Sequence, residues 1–190
     1  VLRKAAGMRR SPPPATRASI RICGRRRPSR RRSLHLCRRR QRHHRLKLAA
    51  WNVNSLNVRL PHVIAWLKTH QPDALCLQEL KIEDAKFPLA AFDDIGYHAV
   101  FNGQKTYNGV AIISRARPED VSKDIGGFED HQKRVIAATI EGVRLVCVYI
   151  PNGQTVGSDK YQYKLKWLAA LQAYMHASVA EYGERPVGRK

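Results

Sequence analysis

The sequence predicts an α/β domain preceded by a separate basic segment, and three observations carry this. A strand, an amphipathic helix and a second strand follow one another between residues 46 and 78, which is a βαβ arrangement. Later strands are apolar almost throughout rather than alternating, so both faces of their sheet must be covered. The charge is also segregated. Residues 1–47 hold 18 of the 35 Lys and Arg and none of the 15 Asp and Glu, leaving 17 basic against 15 acidic residues in the remainder. The net charge of +20 is therefore a property of the first quarter, and the rest has an ordinary globular composition.

Residues 1–45 form the first unit. They contain "PPP", "GRRRPSRRR" and "CRRRQRHHR" with almost no aliphatic periodicity, so they bury too little to offset ordering and are expected to be disordered. Three readings stay open: a sequence-independent nucleic-acid tether, an Arg-rich organellar transit peptide, or translation upstream of the true start, since the chain begins with Val. Cys23 and Cys37, near His35, His43 and His44, lack the paired spacing of a zinc finger. Cys76 and Cys147 lie in apolar runs and are expected to be buried, reduced thiols. No apolar stretch approaches the roughly 20 residues of a membrane span, and neither a membrane nor an obligate protein partner is expected.

Residues 46–190 form the second unit. "LKLAAWNV" reads as a strand ending at Asn52. In the following helix Leu60, Val63, Ile64 and Leu67 share one face, with Pro61 expected in the first turn. "DALCL" is the second strand, and "FPLAAFDDIG" a short helix closed by Gly96. "YHAVF" and "GVAIIS" are strands around the loop "NGQKTYN". "RVIAATI", "EG" and "VRLVCVYI" form a hairpin. The last segment is a long helix whose buried face is expected to be Tyr161, Leu165, Leu168, Gln172, Met175 and Val179, ending at Gly183.

Three polar residues stand at or just past the ends of apolar strands: Asn52, Glu79 and Tyr149. Rigid scaffolds present reactive groups in this way. One carboxylate with an amide oxygen suits Mg²⁺, which keeps waters and shares its coordination with a phosphate oxygen. The alternative is that Asn52 ends a strand, Glu79 caps a turn and Tyr149 packs.

"LAAWNVNSLNVRLPHVIAWL", "QPDALCLQELK", "FNGQKTYNGVAIIS", "QKRVIAAT" and "VYIPNGQTVGSDKYQYKLKWL" together resemble the successive motifs of exonuclease III-type AP endonucleases, within the endonuclease/exonuclease/phosphatase superfamily. The resemblance covers residues 46 to 187. It implies the first half of a four-layer α/β/β/α sandwich, each half of the chain supplying roughly one sheet. It implies that Glu79 is the Mg²⁺ ligand (Mn²⁺ being an alternative ion), that Asn52 belongs to the metal site, and that Tyr149 lies beside the scissile phosphate. Lys105, Tyr107, Asn108 and Arg134 are implied to approach the DNA backbone, while Asn152 reads as a turn former. The implied substrate is double-stranded DNA with abasic sites or 3′ ends, and the implied location the bacterial cytoplasm.

The sequence departs from the pattern at Ala74 and Leu80, neither of which threatens the metal site. The family's Asp-x-Asn and Ser-Asp-His motifs do not occur before the last residues, "RPVGRK". The 190 residues are therefore expected to be inactive alone, with one sheet face exposed and a tendency to aggregate. A sister phosphatase or sphingomyelinase is a less fitting reading. The alternative of another class is a noncatalytic, Arg-rich nucleic-acid-binding protein.

Overall fold

The apolar runs Val110–Ser114 and Val135–Ile140 form strands buried on both faces, whereas the outer strands leave part of their surface open. The computed structural model describes residues 46–183, and the readings made for the basic segment and for Cys23 and Cys37 lie outside them. The order is β1 (Leu48–Asn52), α1 (Leu56–His70), β2 (Ala74–Gln78), α2 (Leu89–Asp93), β3 (His98–Asn102), β4 (Val110–Ser114), β5 (Glu119–Lys123), β6 (Val135–Ile140), β7 (Val143–Val148) and α3 (Asp159–Tyr182). One sheet has the order β1-β2-β4-β3 and the other β5-β6-β7. β1 and β2 are parallel, with Asn52 opposite Gln78; the remaining pairs are antiparallel.

The alternation of each strand divides the core into three. Leu75, Leu77, Ala111 and Ile113 pack against Leu56, Val63 and Leu67 of α1. The opposite face contributes Val110 and Ile112, with Cys76 and Val100, against Ile136, Ala138, Ile140 and Cys147 of the second sheet. Val135, Val146 and Val148 meet Trp167 and Leu171 of α3. Residues 46–183 are thus four layers deep, helix on sheet on sheet on helix. Asn102, 2% exposed, joins the sheets by donating to the Val135 carbonyl at 3.0 Å and to Asp124 at 2.8 Å.

Three expectations are corrected, and one strand was not anticipated. The chain supplies strands to both sheets, so the inner face of the first is covered over β4 and much of β2 and β3, while on β1 Leu48 (48% exposed) and Ala50 keep the exposure that was expected. β5, with the sequence Glu-Asp-Val-Ser-Lys, had no apolar signal; it is an edge strand with solvent on most of its residues. Pro61 sits in the second turn of α1, not the first. Its missing N–H leaves only the carbonyl of exposed Asn57 without an intrahelical donor, within reach of water. On α3 the buried face is Tyr163, Trp167, Leu171 and Tyr174, and Leu165, Met175 and Val179 point outward. Trp167, the largest apolar group on that helix, sets the rotation by filling the space under the second sheet at 1% exposure.

The turns follow the expected chemistry. Glu141 and Gly142 both have positive φ, 49° and 80°, the conformation of a two-residue hairpin turn with matching twist. Gly96, at φ 75°, ends α2 while the Tyr97 N–H reaches back to the Phe92 carbonyl at 3.0 Å. Among the described residues no helix is long and apolar enough to cross a membrane.

Candidate active site

Where β1 and β2 run out, the chain does not leave the sheet at once. Val53 N–H bonds to the Gln78 carbonyl (3.0 Å), Ser55 N–H to that of Glu79 (2.8 Å) and Leu56 N–H to that of Leu80 (2.9 Å). On the other side Leu80 and Lys81 donate to the carbonyls of Gly109 and Asn108. This irregular ladder holds Asn54, Ser55, Glu79 and Lys81 at positive φ, an unfavourable conformation for each that the surrounding bonds enforce.

The Glu79 carboxylate is the centre of the side-chain arrangement. Asn52 Nδ2 donates to its Oε1 at 2.6 Å, and Lys81 Nζ stands 3.3 Å from its Oε2. Asn52 Oδ1 turns the other way and accepts from the Asn54 N–H at 3.1 Å, so Asn52 offers Glu79 a donor, not its oxygen. The Asn52 bond is the first cause of a Glu79 pKa held below the ordinary value; burial opposes it, and the Tyr149 hydroxyl and Lys81 add to the lowering.

Tyr149, one residue past β7, donates its hydroxyl to Glu79. Burial pushes the Tyr149 pKa up, the Glu79 charge pushes the same way, and Arg134 opposes both. The Arg134 guanidinium lies 4.9 Å from the Tyr149 ring centroid and Nη1 donates to the Tyr149 carbonyl at 3.1 Å. Only 8% of Arg134 is exposed, and its other bonds go to Gln132 Oε1, from Nε at 3.0 Å and Nη2 at 2.6 Å. The same oxygen accepts from Asn108 Nδ2 at 3.3 Å.

A cleft of about 350 Å³ opens beside this pair, lined by Arg134, Tyr149, Asn152, Lys160 and Tyr163 among others. Tyr149 belongs to both places, bonding to Glu79 and bordering the cleft. Tyr163 donates to Asp130 at 2.7 Å, and burial with that carboxylate raises its pKa to about 12. Tyr107 borders the cleft and is 67% exposed. Lys105 lies on the same exposed loop, its charge acting on Glu83 rather than on Glu79.

The structure therefore brings together Asn52, Glu79, Tyr149 and Arg134, joins Asn108 to them through Gln132, leaves Tyr107 at the cleft edge and leaves Lys105 exposed on the neighbouring loop. Asn152 forms a turn, its Oδ1 accepting the Gln154 N–H at 2.9 Å. Sequence reasoning missed Gln132, Asn54 and Lys81. Gln132 stood inside the quoted "QKR", yet nothing in its spacing distinguishes an acceptor that serves two other side chains. Among the described residues no group of three or more His, Cys, Asp or Glu gathers as a metal cage.

The profile of the endonuclease/exonuclease/phosphatase family matches residues 49–181. The exodeoxyribonuclease III of Haemophilus influenzae is 33% identical over 139 residues, 68% of this chain and 51% of that protein. Among solved structures, the 3′ phosphatase NExo from Neisseria bound to a product DNA hairpin is 49% identical with a TM-score of 0.72, over 73% of this chain and 55% of that one. An AP endonuclease from Archaeoglobus fulgidus is also 49% identical, with a TM-score of 0.69, over 71% and 52%. The chain spans about half the length of these relatives.

Proposed function

Because the chain belongs to the endonuclease/exonuclease/phosphatase family, we propose that it serves a Mg²⁺-dependent hydrolase of DNA phosphates, of the exodeoxyribonuclease III and AP endonuclease class. The observation that carries this is Glu79, a carboxylate kept ionised at a strand end by Asn52 and bonded to a tyrosine that borders a cleft. Its substrate would be double-stranded DNA with abasic sites or 3′ ends, met in the cytoplasm.

The donor chemistry fits a hard divalent cation in part. Glu79 is ionised, partly exposed and oxygen-bearing, as Mg²⁺ or Mn²⁺ prefers, and a single carboxylate leaves room for waters and a phosphate oxygen. What such an ion supplies when bound is neutralisation of charge on a phosphodiester and its departing 3′ oxygen. Asn52 orients the carboxylate through one amide N–H. Tyr149, with its pKa raised, stays protonated at neutral pH and can turn its O–H from Glu79 to a phosphate oxygen. Arg134 holds the tyrosine ring in place and adds positive charge behind it. Lys105, Tyr107 and Asn108 are suited to meet the DNA backbone, as side chains that position without reading sequence.

With one carboxylate at its centre, the 190-residue chain by itself should cleave slowly. The test is incision of an abasic-site duplex, with Mg²⁺ and with chelator, by this chain and by the same residues continued with the C-terminal half of the Haemophilus relative. The continued protein should cut in a Mg²⁺-dependent way, and Glu79→Gln should slow it by on the order of 10³-fold or more. A continued protein that folds and does not cut would overturn the reading. If, in addition, DNA affinity and its salt dependence disappear on deleting residues 1–45, the noncatalytic binding reading replaces it.

A further inference from the structure

On the two strands that lead to Glu79 and Tyr149, two cysteines point into the gap between the sheets. On β2, Leu75 and Leu77 point toward α1, so Cys76 and Gln78 point into the inter-sheet space. On β7, Val146 and Val148 point toward α3, and Leu145 and Cys147 point into the same space from the other side. Cys147 Sγ is 3.4 Å from the Leu77 carbonyl, and Gln78 Nε2 donates to that sulfur at 3.5 Å. The Cys147 thiol donates to the Leu77 carbonyl, and Cys76 and Cys147 are close enough for each to shift the other's ionisation. β2 and β7 pack against each other across that space.

We propose that Cys76 and Cys147 are a reversible oxidation site, a dithiol that hydrogen peroxide converts into a disulfide joining the two sheets. The two cysteines are unequal in the way such chemistry needs. Cys76 is half-buried and reachable, while Cys147 is 1% exposed and sits behind it. The neighbouring Cys147 lowers the Cys76 pKa, while Cys76 and burial push that of Cys147 up. The Cys76 thiolate attacks one peroxide oxygen, the O–O bond breaks, and the departing hydroxide takes a proton to become water. Cys147 then attacks the sulfur of the Cys76 sulfenic acid; its proton and the displaced hydroxide form the second water. Two thiols lose two electrons and two hydrogens in total, and one peroxide becomes two waters.

Cys76 precedes Glu79 by three residues and Cys147 precedes Tyr149 by two, so the bond would tie the strands that carry both site residues. This inference does not depend on the nuclease reading. It is tested on the full chain bearing Cys23→Ser and Cys37→Ser, treated with peroxide, alkylated, digested and examined by mass spectrometry. The expected product is a peptide pair linked through Cys76 and Cys147, lighter by two hydrogen atoms and separated again by dithiothreitol. Cys147→Ser should leave Cys76 as a sulfenic acid that dimedone traps, and Cys76→Ser should leave Cys147 unmodified. Oxidation of Cys76 to unlinked sulfinic acid in the parent chain, or equal reactivity of Cys147 in Cys76→Ser, would overturn the proposal.

Discussion

Glu79 has a folded-state pKa below the ordinary glutamate value, chiefly because Asn52 donates to it. A lowered pKa means that the charged form is favoured in the folded state. The resulting stabilisation is present above the ordinary glutamate pKa and is lost as pH falls through the lowered one. Asn52→Ala should therefore cost about 1 kcal/mol at neutral pH, and the cost should shrink toward zero in acid. Urea unfolding of both proteins in steps from neutral pH to about pH 3 checks this; an unchanged difference across that range would contradict it. At this scale Asn52, Glu79 and Tyr149 were legible because each interrupts an apolar run where a strand must end. Gln132 was not, since its importance lies in accepting bonds from Arg134 and Asn108, which only folding brings to it. The Asn52 amide was legible as a member of the site but not in its orientation, which the Asn54 N–H decides.

α3 shows how an element can be legible while its rotation is not. Its 24 residues carry two apolar stripes, and the sequence does not say which one meets the sheet. The stripe through Trp167, Leu171 and Tyr174 is the covered one, while Val179 remains 64% exposed. Trp167→Ala should accordingly cost roughly 3–5 kcal/mol, against about 0.5 kcal/mol or less for Met175→Ala or Val179→Ala. Thermal or urea midpoints of the three variants separate the two stripes, and a large loss at Met175 would mean that the helix is rotated. β5 was illegible for the opposite reason: an edge strand needs backbone partners on one side only and tolerates polar side chains. The β6–β7 hairpin was readable throughout because its apolar runs and its Glu-Gly turn agree.

Both sheets are built from this one stretch of chain, and this changes what is expected of the whole molecule. Ile136, Ile140 and Cys147 cover the first sheet over β2 and β4, so the bare apolar surface that its resemblance to half a sandwich implied is confined to β1, where Leu48 is 48% exposed. Asn102 and the inter-sheet core make the layers mutually dependent, so residues 46–183 should unfold as one unit. The tryptophans provide the probes. Trp51 and Trp66 report the α1 side of the first sheet, and Trp167 the α3 side of the second. In Trp167→Phe, and separately in Trp51→Phe/Trp66→Phe, fluorescence and circular dichroism should give coincident urea midpoints. Separated midpoints would show that the sheets open independently. The layering also settles where the protein tolerates additions. β7 runs from the Glu141–Gly142 turn toward Tyr149, so the exposed turn stands at the opposite end of the second sheet from the site. A fluorophore or affinity tag placed there keeps the length of a strand between itself and Glu79, which makes this turn the handle by which the molecule can be immobilised with its cleft left open to solution.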